Sequence, residues 1–326
     1  MTYKPTNILL TGGCGFIGSN LVNYLVTKYS KFNFYNIDRL DYCAREKNVI
    51  VSDKPNYKFI KGDISQSDLI NFILNNYHID TIIHLAAQSH VDNSFGNSIQ
   101  FTKDNILATH ILLECCRVYG KINRFIHVST DEVYGEVGIN DPDCNDTFLL
   151  NPTNPYAASK AAAEFLVKSY YKSFNLPIII TRGNNVYGPR QYPEKVIPKF
   201  IMQLVHNKKC TIQGDGSTRR NFIHVLDVCT AIDTILFKGE INQIYNIGTN
   251  NEYSVLQIAH KLIASFKNHN YQKWIEYIED RNFNDKRYAV DSTKLKKLGW
   301  TESFDFDNGL LNTIVWYVEN LNYWDD

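Results

Sequence analysis

The chain begins with short apolar runs rich in β-branched residues, separated by stretches in which apolar positions return every three or four residues. Continuous apolar runs mark buried strands, and the 3.6-residue period marks helices. Strands are therefore expected at Ile8–Thr11, Phe32–Asp38, Tyr57–Asp63, Thr81–Ala86, Arg124–Thr130 and Pro177–Arg182. Amphipathic helices are expected at Phe16–Tyr29, Ser67–Tyr77 and Ile99–Tyr119. Such alternation predicts an α/β fold, a doubly wound parallel sheet with helices on both faces. Strands covered on both faces carry little polar alternation, as in Thr81-Ile-Ile-His-Leu-Ala86.

Beyond about Asn185 the rhythm changes. Pro189, Pro193 and Pro198 interrupt the pattern, Gly214-Asp-Gly216 marks a turn, and a last helical pattern covers Asn308–Leu321. The expected division is a first domain over residues 1–185 and a smaller mixed α/β lobe over 186–326. A segment near 221–248 is expected to return to the main sheet. Trp316 and Tyr317 should anchor the last helix, and Trp324 should cover an end of the second lobe. His84 and His127 fall in strands and Cys115-Cys116 in a helix, so packing is the expected role of all four.

Composition narrows the classes. Lys+Arg and Asp+Glu both number 34, and this balance argues against a nucleic-acid binder. No apolar stretch approaches the ~18 residues of a membrane span, and the first residues resemble no targeting segment. Seven cysteines without C-x-x-C spacing suggest reduced thiols in a cytoplasmic protein, not a disulfide framework. The nine histidines include no H-E-x-x-H or comparable pair, so no metal site is expected.

The first strand runs into Thr11-Gly-Gly-Cys-Gly-Phe-Ile-Gly18, which satisfies G-x-G-x-x-G from Gly13 and G-x-x-G-x-x-G from Gly12. Glycines let the backbone turn tightly and approach a pyrophosphate at a helix N-terminus. Asp38 follows Gly18 by 20 residues, at the end of the second strand, where a carboxylate would accept both ribose hydroxyls. This Rossmann-type signature favours NAD over NADP, although the adjacent Arg39 would suit a 2′-phosphate. Asp63, ending the third strand, is suited either to the adenine edge or to solvent. Cys14, at a helix N-terminus that would lower a thiol pKa, is expected to react readily when reachable.

Thr130-Asp-Glu132 closes the fifth strand, at the sheet edge where ligands of open α/β sheets bind. Tyr156 and Lys160 share one helix face at i and i+4. The spacing alone means little, since Tyr24/Lys28 and Tyr57/Lys61 repeat it. A tyrosine acting as a base near neutral pH needs its pKa of about 10 lowered by roughly three units, and a neighbouring ammonium or cationic ring would do so.

At these residues the chain resembles the nucleotide-sugar 4,6-dehydratases of the extended short-chain dehydrogenase/reductase superfamily. The stretches that carry the resemblance are Thr11–Asn20, His84–Asp92, His127–Gly135, Tyr156–Lys160, Thr181–Pro198, Gly214–Asn221 and Tyr245–Gly248. The resemblance implies NAD as a retained cofactor, held by Gly12, Gly13, Gly15, Phe16, Ile17, Gly18, Asp38, Asp63, Ile64, Leu85, Ala86, Ala87, Tyr156 and Lys160. It implies that Thr130 and Tyr156 act at the sugar C4, Glu132 as general base at C5 and Asp131 as general acid at C6. Substrate contacts are implied for Ser89, Thr130, Asn185, Lys195, Arg220, Asn246, Arg281 and Asn284, and homodimerisation through Ile99–Tyr119 and Tyr156–Phe174. Arg281-Asn-Phe-Asn-Asp-Lys-Arg-Tyr288 is most similar to the dehydratase portion of plant rhamnose synthases, which implies UDP-glucose over dTDP-glucose. Asn284 stands where histidine is usual in bacterial dTDP-glucose enzymes, and Cys14 where alanine is usual. A 4-epimerase or decarboxylase on the same scaffold, and a non-catalytic NAD-binding regulator, are the alternatives.

Overall fold

The computed structural model describes residues 3–267, 270–281 and 283–325. Twelve strands run in chain order among them: β1 Asn7–Thr11, β2 Asn33–Asp38, β3 Tyr57–Lys61, β4 Thr81–His84, β5 Arg124–Thr130, β6 Ile178–Gly183, β7 Asn185–Tyr187, β8 Cys210–Gln213, β9 Arg219–His224, β10 Ile244–Ile247, β11 Glu252–Ser254 and β12 Ile275–Ile278. Seven form one sheet in the order β10-β6-β5-β4-β1-β2-β3, with every neighbour parallel.

Both faces of this sheet are covered, and β1 shows why its sequence carries no alternation. Ile8 and Leu10 join a layer with Leu21, Leu25, Ile232 and Trp300, while Leu9 joins the opposite layer with Leu112, Phe125 and Val167. All three β1 residues are fully buried, so truncating Leu9 to alanine would cost about 2–5 kcal/mol. β7, β9 and β11 make a three-stranded sheet, and β8 pairs with β12. Phe200, Ile201, Leu262, Phe306 and Tyr317 form the core beneath these smaller sheets.

Several elements differ from expectation in ways that matter for the site. β4 stops at His84, and Leu85 and Ala86 leave the sheet while their amides bond the Thr11 carbonyl and hydroxyl at 3.1 and 3.2 Å. β3 stops at Lys61, which puts Asp63 in a turn closed by the Ser65 amide at 2.8 Å. The helix expected over Ile99–Tyr119 is broken into Ser98–Phe101, a π-helical turn Thr102–Leu107 and Ala108–Tyr119. A π turn carries an extra residue and recurs at functional sites. Here Asp104 bonds Arg39 while Asn105 bonds Gln88 and Ser159.

Tyr317 is fully buried and donates its hydroxyl to the Gln191 carbonyl. Trp324 does more than cover one lobe: its ring lies 5.1 Å from Tyr192 and 5.6 Å from the Arg45 guanidinium, which joins the C-terminal segment to the loop after β2. No helix among the described residues is long and apolar enough to cross a membrane.

Candidate active site

The first cleft, of about 1330 Å³ counting the solvent at its mouth, lies at the C-terminal edge of the large sheet. Gly12, Gly15, Phe16, Ile17 and Gly18 wall one side, and Leu85, Ala86, Ala87, Ile64, Asp38 and Asp63 wall the other. Gly12 has φ +72°, and a Cβ there would stand 2.7 Å from Ala86 Cα. At Gly15 a Cβ would meet only the Gly12 oxygen, at 3.4 Å, so the space it leaves belongs to the cleft. The helix Phe16–Lys28 starts here with no side-chain cap, leaving its first-turn amides to an anion. The Ser129 hydroxyl lines the cleft, buried and without a partner among the described residues. The cradle, the uncapped helix and the carboxylate of Asp38 fit a dinucleotide.

Gly13 is a correction to the expected contact set. It does not line the cleft; its amide donates to Asn36 Oδ1 at 3.0 Å, and any Cβ would strike that side chain. Cys14 is a second correction. Its thiol is fully buried and pushed up to about 12 by burial and by Asp38, so the raised thiol pKa overrides the helix N-terminus.

Asp38 accepts from the Leu40 and Cys14 amides at 2.8 and 2.9 Å, which fixes its carboxylate. Arg39 is not free for a phosphate. It binds Asp104 at 2.7 Å, Asp41 at 2.6 Å and Asp63 at 3.2 Å. The adenosine end of the cleft thus gathers four carboxylates, Asp38, Asp41, Asp63 and Asp104, around one guanidinium.

Thr130 ends β5 and caps the short helix Asp131–Tyr134, its hydroxyl accepting from the Glu132 amide at 3.3 Å. Asp131 and Glu132 therefore leave the strand geometry that would have pointed them to opposite faces. Asp131 is 2% exposed, accepts from Asn184 at 2.9 Å and from the Thr130 hydroxyl at 3.2 Å, and is pushed up to about 7 by burial. Glu132 accepts from Asn154 Nδ2 at 3.2 Å and is also raised by burial, against the pull of Arg220. Asn154 Oδ1 in turn caps the helix Pro155–Phe174, which carries Tyr156 and Lys160.

Lys160 donates to the Val128 carbonyl at 2.7 Å, and burial lowers its pKa to about 8. Tyr156 departs from expectation. Burial, Glu132 and Asp131 raise its pKa in the protein alone, with Thr130 the group that pulls it down. Tyr156 and Lys160 line the first cleft, Glu132 lines a second, and Thr130 and Asp131 line neither.

The second cleft, of about 1060 Å³ on the same measure, meets the first at Glu194 and Lys195. Asn185, Lys195, Arg220, Arg281 and Asn284 line it. Asn185 Oδ1 is buried there without a partner among the described residues. Lys195 donates to the Ser89 carbonyl at 2.8 Å, and Ser89 itself lines the first cleft. Arg220 lies 4.5 Å over the Tyr288 ring and donates to Asn284 at 3.3 Å. Asn246 is the third correction: it lines neither cleft, and its side chain is taken by Tyr134, the Cys144 carbonyl and the Asp291 carbonyl.

The family model of GDP-mannose 4,6 dehydratase matches residues 9–313. The chain belongs to that family. Among curated proteins it is similar to an Arabidopsis thaliana trifunctional UDP-glucose 4,6-dehydratase/UDP-4-keto-6-deoxy-D-glucose 3,5-epimerase/UDP-4-keto-L-rhamnose-reductase. The two are 52% identical, over 100% of this chain and 49% of that protein. The chain thus spans about half the length of these plant relatives. A Dictyostelium discoideum dTDP-D-glucose 4,6-dehydratase is 48% identical over 97% of this chain and 82% of its own. The solved Streptomyces venezuelae dTDP-glucose 4,6-dehydratase, with NAD and TYD bound, superposes with a TM-score of 0.94 at 34% identity, covering 98% of this chain and 99% of that one.

Sequence reading passed over Asn184, Asn154, Asp104 and Asp285, all of which touch the residues above. Asn154-Pro155 carried a usable signal, a helix cap followed by proline at the first helical position. Asp104 and Asp285 carried none, since the partners that tie them to the site, Arg39 and Thr153, lie far away in the chain.

Proposed function

We propose that this chain is an NAD-dependent nucleotide-diphosphoglucose 4,6-dehydratase that prefers UDP-glucose. The observation that carries the reading is the adjacent carboxyl pair, Asp131 buried and Glu132 partly buried. Asp131 holds its proton up to about pH 7, and Glu132 lies beside it on the wall of the second cleft, within electrostatic reach of Tyr156. Dehydration needs an acid and a base together with a redox group, whereas a regulator needs none of them.

NAD would supply reversible hydride storage at the site, which is why it would be retained and not consumed. Gly12, Gly15, the first turn of Phe16–Lys28 and Asp38 would hold it. Tyr156, beside Thr130, takes the proton of the C4 hydroxyl as C4 becomes a ketone. That ketone acidifies the C5 hydrogen, which Glu132 removes. Asp131 acts as the general acid that protonates the departing C6 hydroxyl, and water leaves. Glu132 then returns its proton to C5. Arg220, Lys195 and Asn185 are suited to the diphosphate, and Arg281 and Asn284 to the nucleoside.

The 52% identity to a plant protein named for UDP-glucose supports that substrate, against 48% to one named for dTDP-glucose. Incubation with UDP-glucose followed by mass spectrometry tests the reading. Loss of one water supports the dehydratase; an isobaric product would make it an epimerase, and no change a regulator.

A homodimer is part of the same proposal. Ile99, Leu107 and Val118 on one helical stretch and Phe165 and Phe174 on the other are each at least half exposed. Tyr170 does not belong to this face, since it is buried and donates to Glu114. A monomeric mass by light scattering at micromolar concentration would overturn the dimer. The seven free thiols support a cytoplasmic location.

A further inference from the structure

Asp285 is a buried carboxylate in the wall of the second cleft that the steps above do not use. It is 2% exposed and lies between Asn284 and Tyr288, on the segment that carries Arg281. Its Oδ2 accepts from Thr153 Oγ1 at 2.6 Å and from the Tyr288 hydroxyl. Its Oδ1 is buried with no partner among the described residues. Thr153 directly precedes Asn154, whose side chain donates to Glu132 with one end and caps the Pro155–Phe174 helix with the other. A continuous path therefore runs from the nucleoside side of the cleft, through Asp285, Thr153 and Asn154, to Glu132.

We propose that Asp285 is a positioning residue for Glu132, fixing the Thr153–Asn154 turn against it and keeping a negative charge beside it. The inference rests on the reading of Glu132 as the base. Both hydrogen bonds fall on one oxygen, so the other is left without a hydrogen-bond partner among the described residues, in the wall of the cleft that Glu132 also lines. The groups facing Glu132 are Asp131 next to it, Tyr156 on the following helix, Arg220 on β9, Lys195 ahead of the helix Val196–Val205, and Tyr288 and Asp285 on one segment. Burial is the main cause that raises Glu132, Arg220 and Lys195 oppose it, and Asp285 adds to it. A carboxylate with a like charge beside it is a stronger base, which suits removal of a carbon-bound proton. A purely structural Asp285 would hold the segment in place without altering the titration of Glu132.

Two variants separate the two effects. Asp285→Asn removes the charge and can still accept from Thr153 and Tyr288. Thr153→Val cuts the tether and keeps the charge. The Glu132 carboxyl is titrated in the full-length protein by difference infrared spectroscopy, with Glu132→Gln as the blank, alongside kcat and KM for UDP-glucose against pH. In Asp285→Asn the Glu132 titration and the acid limb of kcat are expected to move down by roughly half a unit to one unit. In Thr153→Val both should stay, while kcat falls about tenfold with KM within twofold. An unchanged Glu132 titration in Asp285→Asn overturns the proposal. Should that variant not fold, an unchanged kcat in Thr153→Val overturns it instead. A wild type that titrates as described yet releases no water from UDP-glucose would defeat the proposed activity and leave the role of Asp285 supported by the infrared shift.

Discussion

Replacing Asp131 with asparagine should make the protein more stable while removing its activity, and the gain should depend on pH. Folding raises the Asp131 carboxyl from its ordinary 3.8 to about 7, chiefly through burial, with Glu132 adding to it and Asn184 opposing it. A group whose folded pKa is raised binds more protons folded than unfolded, so stability declines as pH climbs between the two values. The shift is about three units, and at ~1.4 kcal/mol per unit the penalty above pH 7 is about 4 kcal/mol. Asparagine carries no such penalty. Its oxygen can accept from Asn184 Nδ2, and its amide can donate to the Thr130 hydroxyl, which now accepts. Imperfect geometry in those bonds would cost about 1 kcal/mol, leaving a net gain of roughly 2–3 kcal/mol at pH 8. Near pH 4 the gain should vanish, because the unfolded carboxyl is then only about half ionised and the remaining penalty, under about 1 kcal/mol, no longer exceeds the cost of the imperfect bonds. Urea unfolding of both proteins at pH 4.5, 6 and 8 measures this. A variant less stable than wild type at pH 8, or a gain that does not shrink toward pH 4.5, would refute the assignment of Asp131 as a carboxyl strained by burial.

Glu132→Gln should retain NAD, shown by the nucleotide released on denaturation, yet yield no product lighter by one water. Tyr156→Phe should slow the first oxidation itself, so no NADH absorbance should build up on adding UDP-glucose. Gly15→Val should keep the fold, because its Cβ would meet only the Gly12 oxygen at 3.4 Å, but lower NAD affinity at least tenfold by filling the cradle; unchanged affinity by calorimetry would contradict the phosphate site. Asp104→Asn should loosen Arg39 and remove one of four carboxylates at the adenosine end, raising NADP affinity about tenfold; NADP binding no tighter than in wild type would show that Asp38 alone excludes the phosphate.

The order of strands and the glycine loop were legible because both are local. Apolar runs such as Ile8–Leu10 and Ile178–Ile180 must be buried on both faces, and glycines at 12, 15 and 18 have no other use in that pattern. Thr130, Glu132, Tyr156 and Lys160 could be singled out by order along the chain. What surrounds them could not. Asn184 reaches Asp131 across 53 positions, and Arg39 reaches Asp104 across 65. The π turn at Thr102–Leu107 hides inside an ordinary amphipathic pattern, since its single extra residue leaves the apolar period almost intact. Asn246 misled because a residue on a strand of the main sheet can face its own neighbours as readily as a ligand. Cys14 misled because burial of the sulfur, with Asp38 beside it, raises the thiol pKa by more than a helix N-terminus lowers it.

The outermost place of β10 in the large sheet has a consequence for biosynthesis. As the chain leaves the ribosome, β6 is complete about 60 residues before β10 exists, and β7, β8 and β9 must emerge in between. Throughout that interval the far edge of β6, an Ile-Ile-Ile run, presents unpaired amides and carbonyls beside fully buried-type side chains. Such an edge is a template for pairing with another nascent chain. Slowing translation or destabilising the helix Val225–Lys238, which leads into β10, should therefore shift the protein toward insoluble material, even when the finished fold tolerates the change.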